Sequence, residues 1–248
     1  MSAFVPCFII PVYNHPAYLP ALIAYLSQYQ HPMILVDDGS DVACRAVIDS
    51  LVYERLTVLR HDSNQGKGQA VMTALRHAHA QGYSHALQLD ADGQHAWDDV
   101  GKFLETARTH PKAVILGTPV YGDDVPKKRL YGRYATHIWV WINSLSLAIK
   151  DSMCGFRVYP VAASVDVMNR HRLRKRMGFD SEILVYLSWY GADFINIATP
   201  VTYPVDGVSH FRLWEDNVEL SKMHAQLFFG MLVRLPRLLG RHIEKHHD

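Results

Sequence analysis

Two aspartates, Asp90 and Asp92, follow a short apolar run that ends at Leu89, and Gly93 comes directly after them. Residues two apart in an extended chain project to the same side, so both carboxylates can face one point. Carboxylate pairs at the carboxyl end of a buried strand suit Mg²⁺ or Mn²⁺, which bind oxygen and keep positions open for phosphate oxygens. The pattern predicts a divalent metal site. The alternative is a solvated turn, for which Gly93 supplies the backbone freedom.

Three earlier apolar segments end in the same way, each in a polar loop. Residues 8–12 lead into 13–15, residues 33–36 into 37–41, and residues 56–59 into 60–68. A further apolar run at 113–117 predicts a fifth strand. Every polar motif thus follows the end of a predicted strand.

Helical patterns separate these predicted strands. Two sets of apolar residues recur at helical spacing, one behind Pro16 and one before Gly82. The sets are Leu19, Leu22, Ile23 and Leu26, and Ala70, Val71, Ala74, Leu75 and Ala78. Strands that alternate with helices predict an α/β fold with a doubly wound, mostly parallel sheet flanked by helices, in which ligands lie beyond the carboxyl ends of the strands.

Four motifs together resemble family 2 glycosyltransferases with the GT-A fold. They are Pro-Val-Tyr-Asn-His at 11–15, Val-Asp-Asp-Gly-Ser-Asp at 36–41, Asn-Gln-Gly-Lys-Gly-Gln-Ala at 64–70 and Asp-Ala-Asp-Gly-Gln-His at 90–95. Three later motifs resemble the dolichyl- and polyprenyl-phosphate sugar transferase branch. They are Asp-Ser-Met-Cys-Gly-Phe-Arg at 151–157, Gly-Phe-Asp-Ser-Glu at 178–182 and Gly-Val-Ser-His-Phe at 207–211. The resemblance implies a GT-A domain over residues 1–215, followed by a helical segment over 216–248.

The resemblance implies a nucleotide-sugar donor, a UDP- or GDP-sugar, and assigns the residues that bind it. Asp92 would bind the metal directly, and Asp90 would lie nearer the ribose or behind the metal ligands, with Gln94 and His95 close by. The residues assigned to the nucleotide are Pro11, Tyr13, Asn14, Asp37, Asp38, Lys67 and Asp90. A turn with a helix cap at Ser40 or Asp41 is a second interpretation of residues 37–41.

The resemblance to the polyprenyl-phosphate branch implies that basic residues after the fifth predicted strand bind the acceptor phosphate, for which guanidinium groups are suited. The acceptor set, which by resemblance includes later arginines, is Lys128, Arg129, Arg133, Arg157 and Arg212, with Lys127 beside it. A solvated loop is the alternative for residues 127–133. The chain also departs from the branch, since Gly-Thr-Pro at 117–119 replaces Gly-Ser-Arg and Ser-His at 209–210 replaces Ser-Lys.

A hydroxyl acceptor would need a general base, whereas an ionised phosphate would not. Asp151 and Asp180 are the candidates. Asp151 is favoured for a catalytic or site-organising role because its segment should return to the sheet near the metal. Asp180 has an equally good interpretation as a helix cap. The catalytic assignments are therefore Asp92, Asp151 and Arg133.

Composition gives broader limits. The 248 residues suffice for one large domain, and 25 Lys plus Arg against 24 Asp plus Glu give no overall charge that indicates nucleic acid. Three dispersed cysteines favour a reducing compartment. No signal-peptide pattern is present, and no run approaches the roughly 20 apolar residues that span a bilayer. We expect a cytoplasmic protein associated with the inner face of the cell membrane.

Two segments predict contact with a membrane surface. Residues 137–149 are mostly apolar, and residues 227–243 interleave apolar side chains with Arg234, Arg237 and Arg241. Apolar and basic faces together suit an anionic surface, although Pro236 would kink or divide the second segment. A core helix and an oligomer contact are the competing interpretations.

The sequence thus predicts a metal-dependent glycosyltransferase that moves a sugar from a nucleotide-sugar to a lipid-linked, polyprenyl-phosphate-like acceptor. A family 2 enzyme acting on a sugar or lipid hydroxyl is the alternative, and a non-catalytic nucleotide-sugar-binding protein is a minor one. A sugar-1-phosphate nucleotidyltransferase is disfavoured, because residues 11–14 are not the Gly-rich, Arg-containing loop that such an enzyme needs.

Overall fold

A computed structural model describes residues 3–121, 127–202 and 213–244, with the backbone alone at 127–132, 213 and 241–244. Its centre is a seven-stranded sheet. The strands are β1 (Pro6–Val12), β2 (Met33–Asp37), β3 (Leu56–Arg60), β4 (His85–Gln88), β5 (Ala113–Val120), β6 (Arg157–Pro160) and β7 (Asp193–Pro200). They lie in the order β3-β2-β1-β4-β6-β5-β7, and only β6 runs antiparallel to its neighbours. The predicted mostly parallel α/β sheet is confirmed.

Helices cover both faces of this sheet. They are α1 (Leu19–Ser27), α2 (Val42–Ser50), α3 (Lys67–Ala80), α4 (Val100–Thr109), α5 (Lys127–Ser144), α6 (Val161–Arg170), α7 (Phe179–Trp189) and α8 (Leu213–Glu244). Alternate residues of β1 enter two separate cores: Cys7 and Ile9 pack with α3, α6, α7 and α8, whereas Phe8 and Ile10 pack with α1, α2 and α4. A central parallel strand is buried on both faces in this way.

The two helices predicted from apolar spacing form as expected, and both predicted apolar faces are buried. Gly82 follows α3 with a φ of 77°, the left-handed conformation that ends many helices. One detail differs. Pro16 precedes α1, and the proline of the first turn is Pro20, because the helix begins at Leu19.

The topology brings the polar motifs to one edge of the sheet. Val12, Asp37 and Arg60 are in register across β1, β2 and β3, so the loops that follow these strands leave the sheet side by side. Strand β6 enters antiparallel, with Arg157 paired to Gln88 of β4. Its amino end therefore reaches the edge where β4 ends, and residues 151–156 arrive beside Asp90 as predicted.

The C-terminal helix α8 shares the core of the domain. Met223, Leu227, Met231 and Leu238 are buried in the same cluster as α5 and α7. The helix runs from Leu213 to Glu244 through Pro236, so the proline does not divide it. Among the described residues, no helix is both long and apolar enough to cross a membrane.

Candidate active site

Asp90 lies just beyond the end of β4, and its carboxylate is held by two side chains. Oδ2 accepts a 2.7 Å hydrogen bond from Nζ of Lys67, and Oδ1 accepts one of 3.1 Å from Nε2 of Gln88. Burial by itself would raise the pKa of this carboxyl, but the Lys67 ammonium outweighs burial and the pKa falls to about 2. Asp90 is therefore an anion at any physiological pH.

Glycine is required at position 155 because the backbone there presses against Asp90. A Cβ at Gly155 would lie 2.1 Å from Oδ2 and 2.6 Å from Cγ of that carboxylate. Side chains do not approach to such distances, so the Cys-Gly-Phe motif packs glycine against the acidic pair.

Asp92 is engaged differently from Asp90. Its Oδ1 accepts a 3.0 Å hydrogen bond from the backbone N–H of Gln94, and within the described residues no donor reaches its Oδ2. His95 lies behind the pair, where its Nδ1 accepts the backbone N–H of Asp90 at 3.4 Å and its ring stacks on Phe156. Burial lowers the pKa of His95, so this ring is a neutral neighbour of the two carboxylates.

Lys67 connects Asp90 to a carboxylate that is distant in sequence. Its ammonium lies 3.4 Å from Oδ2 of Asp180, in the first turn of α7. Burial opposes the charge on Lys67, but the two carboxylates raise its pKa above the ordinary value. Gly178 rather than Asp180 occupies the cap position of α7. The helix-cap interpretation of Asp180 is thus wrong, and its carboxylate faces the site.

Arg157 cannot bind an acceptor, contrary to the sequence-based assignment. The side chain is fully buried. Its guanidinium donates to the backbone carbonyls of Cys154 and Asp180, each at 2.9 Å, and to that of Ser152. The sequence motif placed Arg157 near the site, but the antiparallel entry of β6 turns the side chain inward. Through these hydrogen bonds the Arg157 side chain connects the segment after Asp151 to the start of α7.

Asp38 organises the donor loop. Its two oxygens accept four hydrogen bonds, from the side chains of His61 and Asn64 and from the backbone N–H groups of Gln65 and Gly66. A carboxylate offers about four acceptor positions. These bonds shape residues 61–66, and the contact of Asp38 with a base or ribose stays a prediction.

Asp37 is also fully buried and is set back from the site. Its Oδ1 accepts the backbone N–H of Ser40, and its Oδ2 lies 3.8 Å from Arg45 and 3.7 Å from Arg60. The predicted cap of the next helix is Asp41, which accepts the backbone N–H of Cys44. Asp37 and Asp38 thus support the loops, and the assignment of Asp37 to the nucleotide stays a prediction.

The loop after β1 borders the same edge. Asn14 has a φ of 52°, its backbone N–H donates to Oγ of Ser40, and its Oδ1 accepts the backbone N–H of Asp41. Pro11 and Tyr13 are half-buried beside it. Pro11, Tyr13 and Asn14 therefore lie at the edge where the sequence predicts the nucleoside.

On the acceptor side, Arg133 and Asp151 form a two-point ion pair. Nε and Nη2 of Arg133 donate to Oδ2 and Oδ1 of Asp151 at 2.6 and 2.8 Å. Oδ1 also accepts the backbone N–H groups of Met153 and Cys154. Burial favours the neutral acid, but the bonds from Arg133 outweigh it and lower the pKa of Asp151. Asp151 is thus a weak base, and its carboxylate is already hydrogen-bonded to Arg133.

The rest of the predicted acceptor set is only partly described. Lys128 and Arg129 lie in the first turn of α5, where the backbone alone is described. Arg212 lies outside the described residues, as do residues 209 and 210. The helical position of residues 127–133 contradicts the solvated-loop interpretation of that segment.

The acidic pair fits a divalent cation that completes its coordination with ligand oxygens. In the described parts of the chain, no three His, Cys, Asp or Glu side chains form a ready-made metal cluster. Oδ2 of Asp92 accepts no hydrogen bond from the residues that the structure describes, whereas the charge of Asp90 is compensated by Lys67. Mg²⁺ in particular is commonly held by one or two carboxylates together with phosphate oxygens and water. Such an ion would stabilise the charge of a diphosphate leaving group.

The sequence did not reveal two features of this site. Asn64 and His61 hold Asp38, and Asp180 shares Lys67 with Asp90. The asparagine was visible in the motif at 64–70, but its partner was not. The link between Lys67 and Asp180 joins residues far apart in the chain and carries no local signal.

Comparison with known proteins identifies the family. Residues 7–165 match the family model described as Glycosyl transferase family 2. The chain belongs to this family. Among curated family 2 relatives, a dolichyl-phosphate beta-glucosyltransferase of Trichomonas vaginalis is 29% identical over 72% of the chain and 60% of its own length. A UDP-N-acetylglucosamine--dolichyl-phosphate N-acetylglucosaminyltransferase of Methanococcus voltae is 26% identical over 71% of the chain and 77% of its own length.

Solved structures support the GT-A fold of this family 2 domain. Glucosyl-3-phosphoglycerate synthase from Mycobacterium tuberculosis superposes with a TM-score of 0.59 at 15% identity, covering 94% of this chain and 80% of that one. S. aureus TarS 1-349 in complex with UDP-GlcNAc gives a TM-score of 0.62 at 16% identity, covering 96% and 72%. The match with the Trichomonas relative covers 60% of that protein's own length.

Proposed function

We propose that the protein transfers a sugar from a nucleotide-sugar donor to a lipid-linked phosphate, with a divalent cation at Asp92. The observation that carries this proposal is the pairing of Arg133 with Asp151. Because Asp151 is paired with Arg133, it is not available as a general base, and transfer to an ionised phosphate does not need a general base. An arginine beside the acidic edge is instead suited to orient an anionic acceptor.

The donor side supports the same reaction. Asp90, Asp92 and Lys67 gather at the carboxyl end of β4, where ligands of open α/β sheets bind. Two carboxylates and an ammonium suit a metal-bound diphosphate, because the cations compensate its charge as the bond to the sugar breaks. Pro11, Tyr13 and Asn14 form the side on which a nucleoside would lie.

The names of the relatives favour a lipid phosphate over a hydroxyl acceptor. Those of Trichomonas vaginalis and Methanococcus voltae are named for dolichyl phosphate, and one of Mycolicibacterium smegmatis is named polyprenol monophosphomannose synthase. That last protein is 28% identical over 61% of the chain. An enzyme that uses a lipid-linked acceptor must act at a membrane surface. The apolar and basic residues of the segment 227–243 suit contact with such a surface.

The test is a transfer assay with purified protein. UDP- and GDP-sugars, with Mn²⁺ or Mg²⁺, are offered together with a short-chain polyprenyl phosphate or with the corresponding alcohol. We expect product from the phosphate alone. Arg133→Ala should impair this transfer far more than hydrolysis of the donor, because acceptor binding loses a charged partner. The variant also leaves the buried Asp151 without its ion-pair partner, so its thermal stability is measured alongside, and Asp151→Asn is the control that keeps Arg133. Efficient use of the alcohol, with Arg133→Ala harmless, would instead establish a hydroxyl-acceptor transferase.

The same assay separates the remaining alternative. A non-catalytic nucleotide-sugar-binding protein would be stabilised against heat by the donor and Mn²⁺, since a ligand that binds only the native state raises its stability. It would, however, neither hydrolyse nor transfer the sugar. Turnover in the parent and its loss in Asp92→Asn would exclude that reading.

A further inference from the structure

Exposed apolar side chains are concentrated on α5 and α8. Of the 17 large apolar residues exposed in the described parts of the chain, nine lie on these two helices. The nine are Tyr134, Ile138, Trp139, Ile142, Trp214, Phe229, Leu232, Val233 and Leu239. The remaining eight are scattered over strands, loops and other helices, as single surface residues commonly are.

Helix α5 carries a row of apolar side chains on its exposed side. Tyr134, Ile138 and Ile142 recur every four residues and are exposed, whereas Val140 and Ser144 on the opposite side are buried. Four-residue spacing places side chains in one row along a helix. This row extends over about 12 Å at 1.5 Å per residue. Its members are 60%, 50% and 38% exposed, which is unusual for a row of large apolar side chains.

Trp139 joins this row to α8. Its ring centroid lies 6.1 Å from that of His224 and 6.3 Å from that of Phe228. The neighbouring Phe229 is 65% exposed, and Leu232, one turn further on, is 45% exposed. The two helices therefore present one surface, which we term the α5–α8 face: Tyr134, Ile138, Trp139, Ile142, Phe229, Leu232 and Leu239.

Within the two stretches of sequence that carry this face, the charged residues have one sign. No Asp or Glu occurs in residues 127–144 or in residues 220–243. The same stretches carry Lys127, Lys128, Arg129 and Arg133, and Lys222, Arg234, Arg237 and Arg241. Arg234 is turned inward over the indole of Trp189, at 4.6 Å from the ring, so the basic face expected from sequence is smaller than predicted. Arg237 remains exposed beside the apolar side chains.

We infer that the α5–α8 face is the surface that rests in the headgroup region of an anionic lipid bilayer. Apolar side chains enter the boundary of the acyl chains, Trp and Tyr suit the interface, and basic groups at the rim attract anionic headgroups. A second copy of the chain is the competing occupant, but two copies would bring like charges together at the rim.

The location of this face also fits the proposed function, although the inference about the bilayer does not depend on it. Arg133, which holds Asp151, precedes Tyr134 of the exposed row on the same helix. A bilayer in contact with α5 would thus present a lipid-linked phosphate close to Arg133. The tail of such an acceptor could stay in the membrane while its phosphate reaches the site.

The test uses the full chain and sedimentation with two kinds of vesicle. One kind is phosphatidylcholine, and the other is phosphatidylcholine mixed with phosphatidylglycerol. We expect binding to the anionic vesicles, weakened by high salt because screening removes the charge attraction. The variants Ile138→Asp and Phe229→Asp should each reduce binding about tenfold or more, since a charge must then enter the interface. Both residues are exposed, so folding should survive.

Val52→Asp is the matched control. Val52 is 93% exposed but lies before β3, away from both helices, so this variant should bind vesicles like the parent. Equal losses in all three variants, or no vesicle binding by the parent, would overturn the inference. A parent dimer that Ile138→Asp dissociates, with vesicle binding unchanged, would assign the face to a second copy instead.

A second readout keeps this result separate from the proposed function. Transfer to a water-soluble short-chain phosphate should be unchanged in Ile138→Asp and Phe229→Asp, whereas transfer to a long-chain acceptor in vesicles should fall with binding. If no transfer occurs in any protein while vesicle binding follows the variants, the face stands and the proposed reaction fails.

Discussion

Lys67 and Asp90 form an ion pair of 2.7 Å at the carboxyl edge of the sheet, and Asp180 lies 3.4 Å from the same ammonium. One cation thus serves the half-buried Asp90 and the buried Asp180, while Asp92 keeps an oxygen that no described donor reaches. The arrangement separates the two acidic residues of the motif by function. Asp90 holds Lys67, and Asp92 is the carboxylate that we propose as the cation ligand.

The first prediction concerns Asp92. Asp92→Asn should nearly abolish sugar transfer and weaken Mn²⁺-dependent binding of the donor, because a neutral amide is a poorer ligand for a hard cation. Its melting temperature should stay close to that of the parent, since the carboxylate makes a single bond to a backbone N–H. Asp166→Asn, on the surface of α6, is the control. Full activity of Asp92→Asn, or activity insensitive to chelator, would contradict the metal site.

The second prediction concerns Lys67. Lys67→Met should increase the affinity for Mn²⁺ in the absence of donor, because the carboxylate of Asp90 loses its competing cation. The affinity for the nucleotide-sugar should fall, because the variant lacks the positive charge that would compensate the diphosphate. Removing one partner of a buried pair also costs about 3 kcal/mol of stability. Calorimetric titration with Mn²⁺ measures the first effect, and Lys67→Arg, which keeps the charge, is its control. Weaker Mn²⁺ binding in Lys67→Met would show that Lys67 supports the metal instead.

The third prediction concerns the fit of Gly155 against Asp90. Gly155→Ala should abolish transfer and lower stability, because its Cβ would lie 2.1 Å from Oδ2 of Asp90. Gly240→Ala is a matched control, since a Cβ there meets nothing within 4 Å. That change in α8 should raise stability by about 0.5–1 kcal/mol, the helix preference of alanine over glycine. Thermal unfolding and the transfer assay measure both. An active, stable Gly155→Ala protein would mean that the backbone at 155 is free to shift.

The fourth prediction concerns the pair of Arg133 and Asp151. Arg133→Ala and Asp151→Asn should each raise the KM for a phosphate acceptor, and the double variant should be little worse than either, because the two residues act as one unit. The pH dependence of kcat should be unchanged by Asp151→Asn, since Asp151 is not the base in this mechanism. Disappearance of a titration from the pH profile in Asp151→Asn would identify it as a base.

The fifth prediction concerns His224, which is buried between α5 and α8. Burial lowers its pKa to about 4. The unfolded chain, with an ordinary histidine pKa of about 6.5, therefore binds more protons than the native state between these values, and stability rises with pH across this window. His224 should cost about 2–3 kcal/mol of stability at pH 4 relative to pH 7. The difference in unfolding free energy between the parent and His224→Gln, followed over pH, isolates this contribution. A difference that does not vary with pH would mean that His224 has the same pKa in the native and unfolded states, and a difference with the opposite slope would mean that the native state holds it protonated.

Several parts of the molecule could be predicted because their cause is local. The apolar spacing of α1 and α3 specified both helices and their buried faces, and the polar motifs marked the ends of β1, β2, β3 and β4. The role of Arg157 could not be predicted in this way. Its motif indicates proximity to the site, but the direction of the side chain depends on β6 entering the sheet antiparallel.

The sequence by itself determined the family, the α/β pattern and the acidic pair, since each depends on residue types at short spacing. Only the tertiary structure decided which polar groups are already occupied. Asp38 bonds to a loop more than twenty residues away, and Lys67 meets Asp180 from a distant helix. A hydrogen-bonding group can be assigned to a ligand only after its protein partners are counted, and those partners are brought together by the fold.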